Sequence, residues 1–206
     1  MKVLLVNGSP HSSGCVFTAL SEVASTLQKE GIESEIFWIG NAPVQGCTAC
    51  FQCRKNDSGC CVFNDELYTS LLGKIKECDG IIIGSPVYYA APAGSLCALL
   101  DRIFFSGAPY LKHKVAAAIV NARRGGASAA FDRLNKYFTL LQMQVVSSTY
   151  WNSTHGTTPE EVLRDAEGMQ VMRMLAKNMA YMLKLKSASS TPLPEQEKKI
   201  STNFIS

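Results

Sequence analysis

Short apolar runs alternate with segments of helical spacing along most of this chain. Runs such as Ile81-Ile82-Ile83 are typical of buried strands, whereas between the runs apolar residues recur every three or four positions, as on one face of a helix. The runs predict strands over residues 2–7, 34–39, 80–84, 115–121 and 144–148. The spaced segments predict helices over residues 15–30, 65–77, 92–105, 127–141 and 158–185.

The order of these elements predicts the fold class. Strand and helix alternate five times, which indicates an α/β fold with a parallel sheet and helices on both faces. Ligands bind such sheets at the carboxyl edge, so we expect the loops after the first, third and fourth strands to meet there. Pro92 is the expected first-turn proline of its helix, and Thr158 the expected N-cap of the last helix. We expect one domain over residues 1–186 and a tail over residues 187–206.

Composition narrows the class of protein. Hydrophobic residues make up 47% of the 206 residues, which is enough for a sizeable core and excludes wholesale disorder. The formal net charge is only +3 and no dense block of Lys and Arg concentrates it, which argues against nucleic-acid binding. No apolar run reaches the ~18 residues of a membrane span, and the apolar start is too short for a signal peptide. We therefore expect a cytoplasmic protein without membrane contact.

The loop after the first strand, residues 8–14, is suited to a phosphate group. It carries Ser9, His11, Ser12 and Ser13 ahead of a helix N-terminus, whose free N–H groups and partial positive charge attract anions. The Gly-Lys-Ser/Thr ending of a nucleoside-triphosphate loop and the three-glycine spacing of a dinucleotide loop are both absent, which favours a monophosphate. The alternative is a Ser/Gly-rich turn that only caps the helix.

The loops after the third and fourth strands are suited to a planar ring. Pro86, Tyr88 and Tyr89 follow the third strand as a stiff apolar wall on which a ring system can stack. The turn Asn121-Ala122-Arg123-Arg124-Gly125-Gly126 lets the backbone approach a ligand closely and places positive charge near a reduced ring or a dinucleotide phosphate. Alternatively, the tyrosines pack over the sheet and the arginines lie on a solvated turn.

These loops resemble those of a known family. Val6-Asn7-Gly8-Ser9-Pro10 and Gly84-Ser85-Pro86-Val87-Tyr88, with the late Gly-Gly turn, are similar to the NADPH-dependent FMN reductase branch of the flavodoxin-like superfamily over roughly residues 1–183. The resemblance implies a flavodoxin-like fold with a five-stranded parallel sheet of order 2-1-3-4-5, FMN at its carboxyl edge and a dimer whose interface helps to form the flavin site. It assigns the FMN phosphate to Ser9, His11, Ser12, Ser13, Gly14, Cys15 and Val16. It assigns the isoalloxazine ring to Pro86, Val87, Tyr88, Tyr89, Asn121, Arg123, Gly125 and Gly126.

Two departures from the family pattern concern the phosphate loop. His11 stands where the family usually has Arg or Lys, and Cys15-Val16 stand where it has Asn-Thr. The lost cation and hydroxyl predict weaker FMN binding, by roughly a few kcal/mol if nothing replaces the charge-assisted bond, although the backbone donors remain.

Five of the eight cysteines fall within fifteen positions. Cys47, Cys50 and Cys53 form a C-x2-C-x2-C segment that Cys60 and Cys61 follow, and in a cytoplasmic chain such spacing indicates metal or redox chemistry. The pattern resembles the compact motif of the iron–sulfur flavoproteins, which implies a [4Fe-4S] cluster on Cys47, Cys50, Cys53 and Cys60, with Cys61 as a competing fourth ligand. A zinc site on the same ligands and a set of free thiols or disulfides are the alternatives.

Three functions agree with these features. The first is an oxidoreductase in which NAD(P)H gives a hydride to FMN, and the flavin reduces a quinone, a nitroaromatic, free flavin or a protein partner, directly or through an iron–sulfur cluster. No side chain needs to act as acid or base in the hydride step, because this chemistry belongs to the cofactor. The second is a non-catalytic flavin and iron–sulfur electron carrier, and the third is a regulatory module that binds FMN weakly. A homodimer or homotetramer is expected in each case.

Overall fold

The computed structural model describes residues 1–55, 59–198, 200–202 and 204. Its strands are β1 (Lys2–Asn7), β2 (Glu33–Trp38), β3 (Gly80–Tyr88), β4 (Ala91–Pro92), β5 (Val115–Ala122), β6 (Gln144–Val145) and β7 (Ser153–His155). Its helices are α1 (Cys15–Lys29), α2 (Gln52–Lys55), α3 (Glu66–Glu77), α4 (Gly94–Ser106), α5 (Ala108–Leu111), α6 (Ala127–Leu140), α7 (Pro159–Arg164) and α8 (Ala166–Ala188).

The main sheet has the strand order β2-β1-β3-β5-β6, and each neighbouring pair in this order is parallel. Since β5 and β6 are the fourth and fifth predicted strands, the predicted order 2-1-3-4-5 and the α/β class are confirmed. Leu5 at the middle of β1 lies opposite Ile36 on one side and Ile82 on the other. The central strands are apolar throughout because a parallel sheet is covered on both faces.

Helices cover the two faces of the sheet and bury two separate cores. On one face, α3, α4 and α6 pack on the strands through residues such as Leu71, Leu99 and Phe138. On the other face, α1 and α8 pack through residues such as Leu20 and Met172. This arrangement leaves the carboxyl edge of the sheet to the loops.

The third strand is longer than predicted, and its end turns back on itself. β3 runs on to Tyr88 and pairs antiparallel with β4 through a turn at Tyr89 and Ala90, whose φ angles are 50° and 58°. Pro92 therefore belongs to β4, and α4 begins at Gly94. The prediction of a helix starting at Pro92 is wrong, because the hairpin places this proline in a short edge strand.

The predicted last helix is in fact two helices. Thr158 caps α7 as predicted, and its Oγ1 accepts from the Glu161 N–H at 3.3 Å. α8 starts separately because the Asp165 carboxylate accepts from the Gly168 N–H at 3.0 Å and caps the new helix. α8 ends at Ala188, and the division into a domain and a tail at residue 186 stays a prediction. In the part of the chain that the structure describes, no helix is long and apolar enough to span a membrane.

Two short strands fill the place of the predicted fifth strand. β6 covers only Gln144–Val145 and pairs with the start of β5, whereas β7 pairs with its end. Between them, the Asn152 amide donates to the Ala118 carbonyl at 3.0 Å, and the Val120 N–H donates to the Asn152 carbonyl at the same distance. The strand predicted over residues 144–148 is therefore in the right place but too long, and β7 extends the sheet towards the carboxyl edge.

Candidate functional site

Strand pairing brings the three predicted loops to one edge of the sheet. The Gly8 N–H donates to the Gly84 carbonyl at 2.9 Å, and a Cβ at Gly8 would lie 2.4 Å from Leu96 Cδ2. Glycine is therefore required where the first loop crosses the third strand. Pro86 of β3 lies opposite Asn121 of β5, which sets the third loop beside the second.

The side chain of Asn7 holds the phosphate loop in shape. Its Oδ1 accepts from the Ser9 N–H at 3.1 Å, and its Nδ2 donates to the carbonyls of His11 and Ser12 at 3.3 and 3.2 Å. Ser9 Oγ accepts from the His11 N–H at 3.1 Å, and the Ser9 carbonyl accepts from the Trp38 indole at 2.8 Å. Because Asn7 is fully buried, this network fixes the loop from within the protein.

The N-terminus of α1 follows this loop and offers donors to an anion. Gly14 is the N-cap without a side-chain capping bond, and no acidic residue lies in the first turn. Ser12 and Ser13 are exposed beside these first N–H groups. Val16 is buried in the second core, so it can contribute only its backbone N–H. The arrangement suits a phosphate dianion.

Gly126 lets the third loop approach the β3–β4 hairpin. Its φ is +90°, and a Cβ there would meet Ala90 Cα at 2.9 Å and Val87 Cγ1 at 3.1 Å. A Cβ at the neighbouring Gly125 would meet no atom within 4 Å among the described residues. Tyr89, at the tip of the hairpin, is fully exposed. The two loops predicted to bind a ring therefore form one continuous surface.

The other predicted ring contacts differ in what their side chains can reach. Tyr88 and Arg123 are exposed at this edge. Asn121 is buried, and its Nδ2 donates to the Gly156 carbonyl at 3.1 Å while its Oδ1 accepts from the Thr154 hydroxyl at 2.9 Å. The Asn121 amide therefore joins β5 to the β7 segment and supports the site from below.

The segment after β7 borders the phosphate loop, which the sequence reasoning missed. The Cys15 thiol donates to the Gly156 carbonyl at 3.8 Å. Burial raises the pKa of Cys15, and the nearby Glu161 and Glu160 raise it further, so this thiol is neutral beside the anion site. Gly156 precedes two threonines and the acidic first turn of α7, a strand-to-helix loop signal that becomes visible only once β7 is recognised.

The cysteine segment, by which we mean the part of the chain that carries Cys47, Cys50, Cys53, Cys60 and Cys61, lies on the face of the sheet that carries α3 and α4. One small cavity of about 10 Å³ is bordered by Arg102 and Phe105 of α4 and by four thiols, those of Cys47, Cys50, Cys53 and Cys61. Cys60 is not part of this lining and packs, with Cys61, against the core. The three cysteines of the C-x2-C-x2-C segment and Cys61 therefore line one cavity, and the choice between Cys60 and Cys61 as the fourth ligand stays a prediction.

The thiols of this cavity are chemically suited to a metal group that takes cysteine ligands. None of the eight cysteines is in a disulfide. In the arrangement that the structure shows, no three His, Cys, Asp or Glu side chains among the described residues are close enough to hold a metal ion. Burial raises the pKa of Cys53, and the neighbouring Cys61 and Cys47 add to the effect. Sulfur ligands suit an iron–sulfur cluster or zinc, but the cavity as it stands has room for about one water, so it must open to admit either. Residues 39–51, which carry Cys47 and Cys50, form no helix or strand, whereas Cys53 lies in the four-residue helix α2.

The sheet and its edge loops define an α/β protein with a candidate ligand site at the carboxyl edge of its sheet. Residues 1–158 match the sequence model of the NADPH-dependent FMN reductase family, and the chain belongs to that family. It is therefore a flavin-dependent oxidoreductase, and the loops at the carboxyl edge suit FMN by the anion donors at the start of α1 and by the exposed hairpin and turn beside them.

Similar curated proteins are named iron–sulfur flavoproteins. One from Methanocaldococcus jannaschii is 31% identical over 197 residues, which cover 90% of this chain and 98% of that protein. Another from Archaeoglobus fulgidus is 32% identical over 177 residues, which cover 84% of this chain and 86% of that protein. These relatives place the chain in the iron–sulfur flavoprotein branch of the family.

Solved structures show the same fold at low sequence identity. RosB with a bound 8-demethyl-8-formylriboflavin-5′-phosphate intermediate has a TM-score of 0.73 at 14% identity, covering 99% of this chain and 92% of that chain. An archaeal flavodoxin has a TM-score of 0.61 at 13% identity, covering 89% of this chain and 99% of that chain. The fold is therefore flavodoxin-like, as the resemblance implied.

Proposed function

We propose that this protein binds FMN at the carboxyl edge of its sheet, oxidises NAD(P)H there and passes electrons to an acceptor through an iron–sulfur cluster held by the cysteine segment. When bound, FMN accepts a hydride and an iron–sulfur cluster carries single electrons, so together they convert a two-electron donation into one-electron steps. The observation that carries the proposal is that one helix, α4, contacts both sites.

The two contacts of α4 lie close together along its axis. Leu96 packs beneath Gly8 of the phosphate loop, and Arg102 lines the cavity of the four thiols. At 1.5 Å rise per residue, six residues span about 9 Å along the helix axis. Between these two positions, Ala98 lies 3.8 Å from the Cβ position of Gly46, next to the first cysteine. A single helix thus contacts both the phosphate loop and the thiol cavity, which supports electron transfer over a short distance.

The residues at the edge have distinct proposed roles. The N–H groups at the start of α1, with the Ser12 and Ser13 hydroxyls, hold the FMN phosphate. The hairpin with Tyr88 and the turn with Gly126 border the isoalloxazine ring, and Arg123 supplies positive charge for its reduced, anionic form.

The remaining parts of the proposal concern partners. The acceptor is a small molecule such as a quinone or a nitroaromatic, or a redox protein, and the chain forms a homodimer or homotetramer. Tyr89 supports this assembly, because it is fully exposed on the single chain at the edge where the flavin site lies.

Anaerobic purification tests the proposal, because it reports flavin and iron in one preparation. We expect a coloured protein that contains FMN, iron and acid-labile sulfide, and that oxidises NADH or NADPH when a quinone or nitroaromatic is present. Flavin without iron after reconstitution with ferrous iron and sulfide would remove the cluster from the proposal. Reduction only by a redox protein, and by neither nicotinamide, would make the protein an electron carrier. A protein that stays colourless in excess FMN would contradict the proposal as a whole.

A further inference from the structure

Arg102 of α4 is a buried charge at the cysteine cavity. Its side chain is 0% exposed, and it lines the cavity together with the four thiols. A buried arginine is costly unless its donors are paired, so its contacts show what it is there to do. The guanidinium also stacks near Tyr68, with Cζ 4.8 Å from the ring centroid.

The guanidinium binds both ends of the cysteine segment. Nη1 donates to the carbonyl of Gln45, two residues before the first cysteine, at 3.2 Å. Nη2 donates to the carbonyl of Phe63, two residues after Cys61. One side chain of α4 therefore holds the two ends of the cysteine segment together and positions the segment against the helix.

The carboxylate of Asp65 balances part of the Arg102 charge. Nη2 donates to Asp65 Oδ2 at 2.5 Å, while Asp65 Oδ1 caps α3 through the Tyr68 N–H. Partial burial opposes the charge of Asp65, but the Tyr68 N–H and the Arg102 guanidinium together hold its pKa below the usual value. The carboxylate is 47% exposed, so water screens it more than it screens the guanidinium.

One nitrogen of the Arg102 guanidinium has no partner in the described part of the chain. An arginine has five N–H donors, and Nε is buried with no hydrogen-bond partner among the residues that the structure describes. Leaving a charged donor unsatisfied in the interior is unfavourable, and such groups call for an explanation. Four cysteine sulfurs are the most numerous side-chain acceptors of the cavity lining, which also carries the hydroxyls of Thr48 and Ser106.

We propose that Arg102 is the positioning and counter-charge residue of the cysteine site: its guanidinium holds the segment at Gln45 and Phe63, and its Nε–H, which has no partner among the described residues, would donate to sulfur of an iron–sulfur group held by the thiols. This inference rests on the proposed function. An iron–sulfur group held there would gain one negative charge on one-electron reduction, and the buried Arg102 charge would stabilise the reduced form. Hydrogen bonds to sulfur and nearby charge are known means of setting the reduction potential of such groups.

The test uses the full chain reconstituted anaerobically with ferrous iron and sulfide, and measures bound iron and the midpoint potential of the iron–sulfur signal. Arg102→Gln is expected to lower the ratio of reduced to oxidised cluster at least tenfold at a fixed potential, a shift of 59 mV for one electron. Arg102→Lys keeps the charge but not the fork, so it is expected to bind less iron while its potential stays near the wild-type value. Arg173→Gln, which removes an arginine paired with Glu22 on the opposite face, is the control and should change neither.

Asp65→Asn gives a second measurement that does not depend on an Arg102 variant folding. Asparagine still caps α3, but the Arg102 charge is no longer balanced, so the midpoint potential is expected to rise. Arg102→Gln with wild-type iron and potential, or Asp65→Asn with an unchanged or lower potential, would overturn the role of Arg102 alone. Wild-type protein that takes up no iron and sulfide would overturn the proposed cluster, and this inference with it.

Discussion

Gly126 shows at the residue scale how the flavin surface depends on single atoms. Replacing Gly126 with Val forces a branched residue to φ +90° and puts its Cβ 2.9 Å from Ala90 Cα. We expect this variant to lose about 1–3 kcal/mol of unfolding free energy and to bind FMN more weakly. Chemical denaturation and FMN titration followed by flavin fluorescence measure the two effects. Gly125→Ala is the matched control for the unfolding free energy, because its Cβ would meet no described atom within 4 Å, and an equal loss of stability in both variants would contradict the account.

The sequence was enough to predict which residues lie at the carboxyl edge, but not which contacts each of their side chains makes. Ser12, Ser13 and Gly126 lie where the loop signals placed them. Val16 and Asn121 lie at the same edge, but Val16 is buried in the second core and the Asn121 amide is bonded to Thr154. Those two outcomes depend on α8 and β7, far along the chain, and no local pattern contains that information.

At the scale of elements, the cysteine segment makes the sharpest prediction. Of the adjacent pair Cys60 and Cys61, Cys61 lines the cavity with Cys47, Cys50 and Cys53, and Cys60 does not. After anaerobic reconstitution, we expect Cys61→Ser to lose most of the bound iron and Cys60→Ser to keep it, with FMN retained in both. Cys53→Ser serves as the positive control for loss. The reverse pattern, with Cys60→Ser losing iron and Cys61→Ser keeping it, would contradict this expectation and make Cys60 the fourth ligand.

Long periodic elements were predictable because their patterns are local, whereas short ones were not. α1 and β5 match their predicted positions closely, but β4 has two residues and β7 has three. The break between α7 and α8 is a similar case. Apolar spacing continues across it, and the break depends on Asp165, whose Oδ2 accepts from the His155 N–H at 2.7 Å in β7. Contacts of this kind join separate elements and leave no periodic trace.

At the scale of the whole molecule, sheet topology explains why distant loops form one site. Strand and helix alternation was enough to predict the order that sets the first, third and fourth predicted strands side by side. The place of the cysteine segment was not predictable, because residues 39–51 have no periodic pattern and the segment is positioned by Arg102 and Phe105 of α4. The fold thus places the phosphate loop against the first turn of α4 and the thiol cavity against a later turn of the same helix.

The central claim is that the three loops form one FMN site, and a crystal structure of the protein with FMN tests it most directly. The account predicts the phosphate at the N-terminus of α1, beside Ser12 and Ser13, and the ring between the β3–β4 hairpin and the Gly126 turn. FMN bound at another surface, or no bound FMN in crystals grown at saturating concentration, would contradict the account.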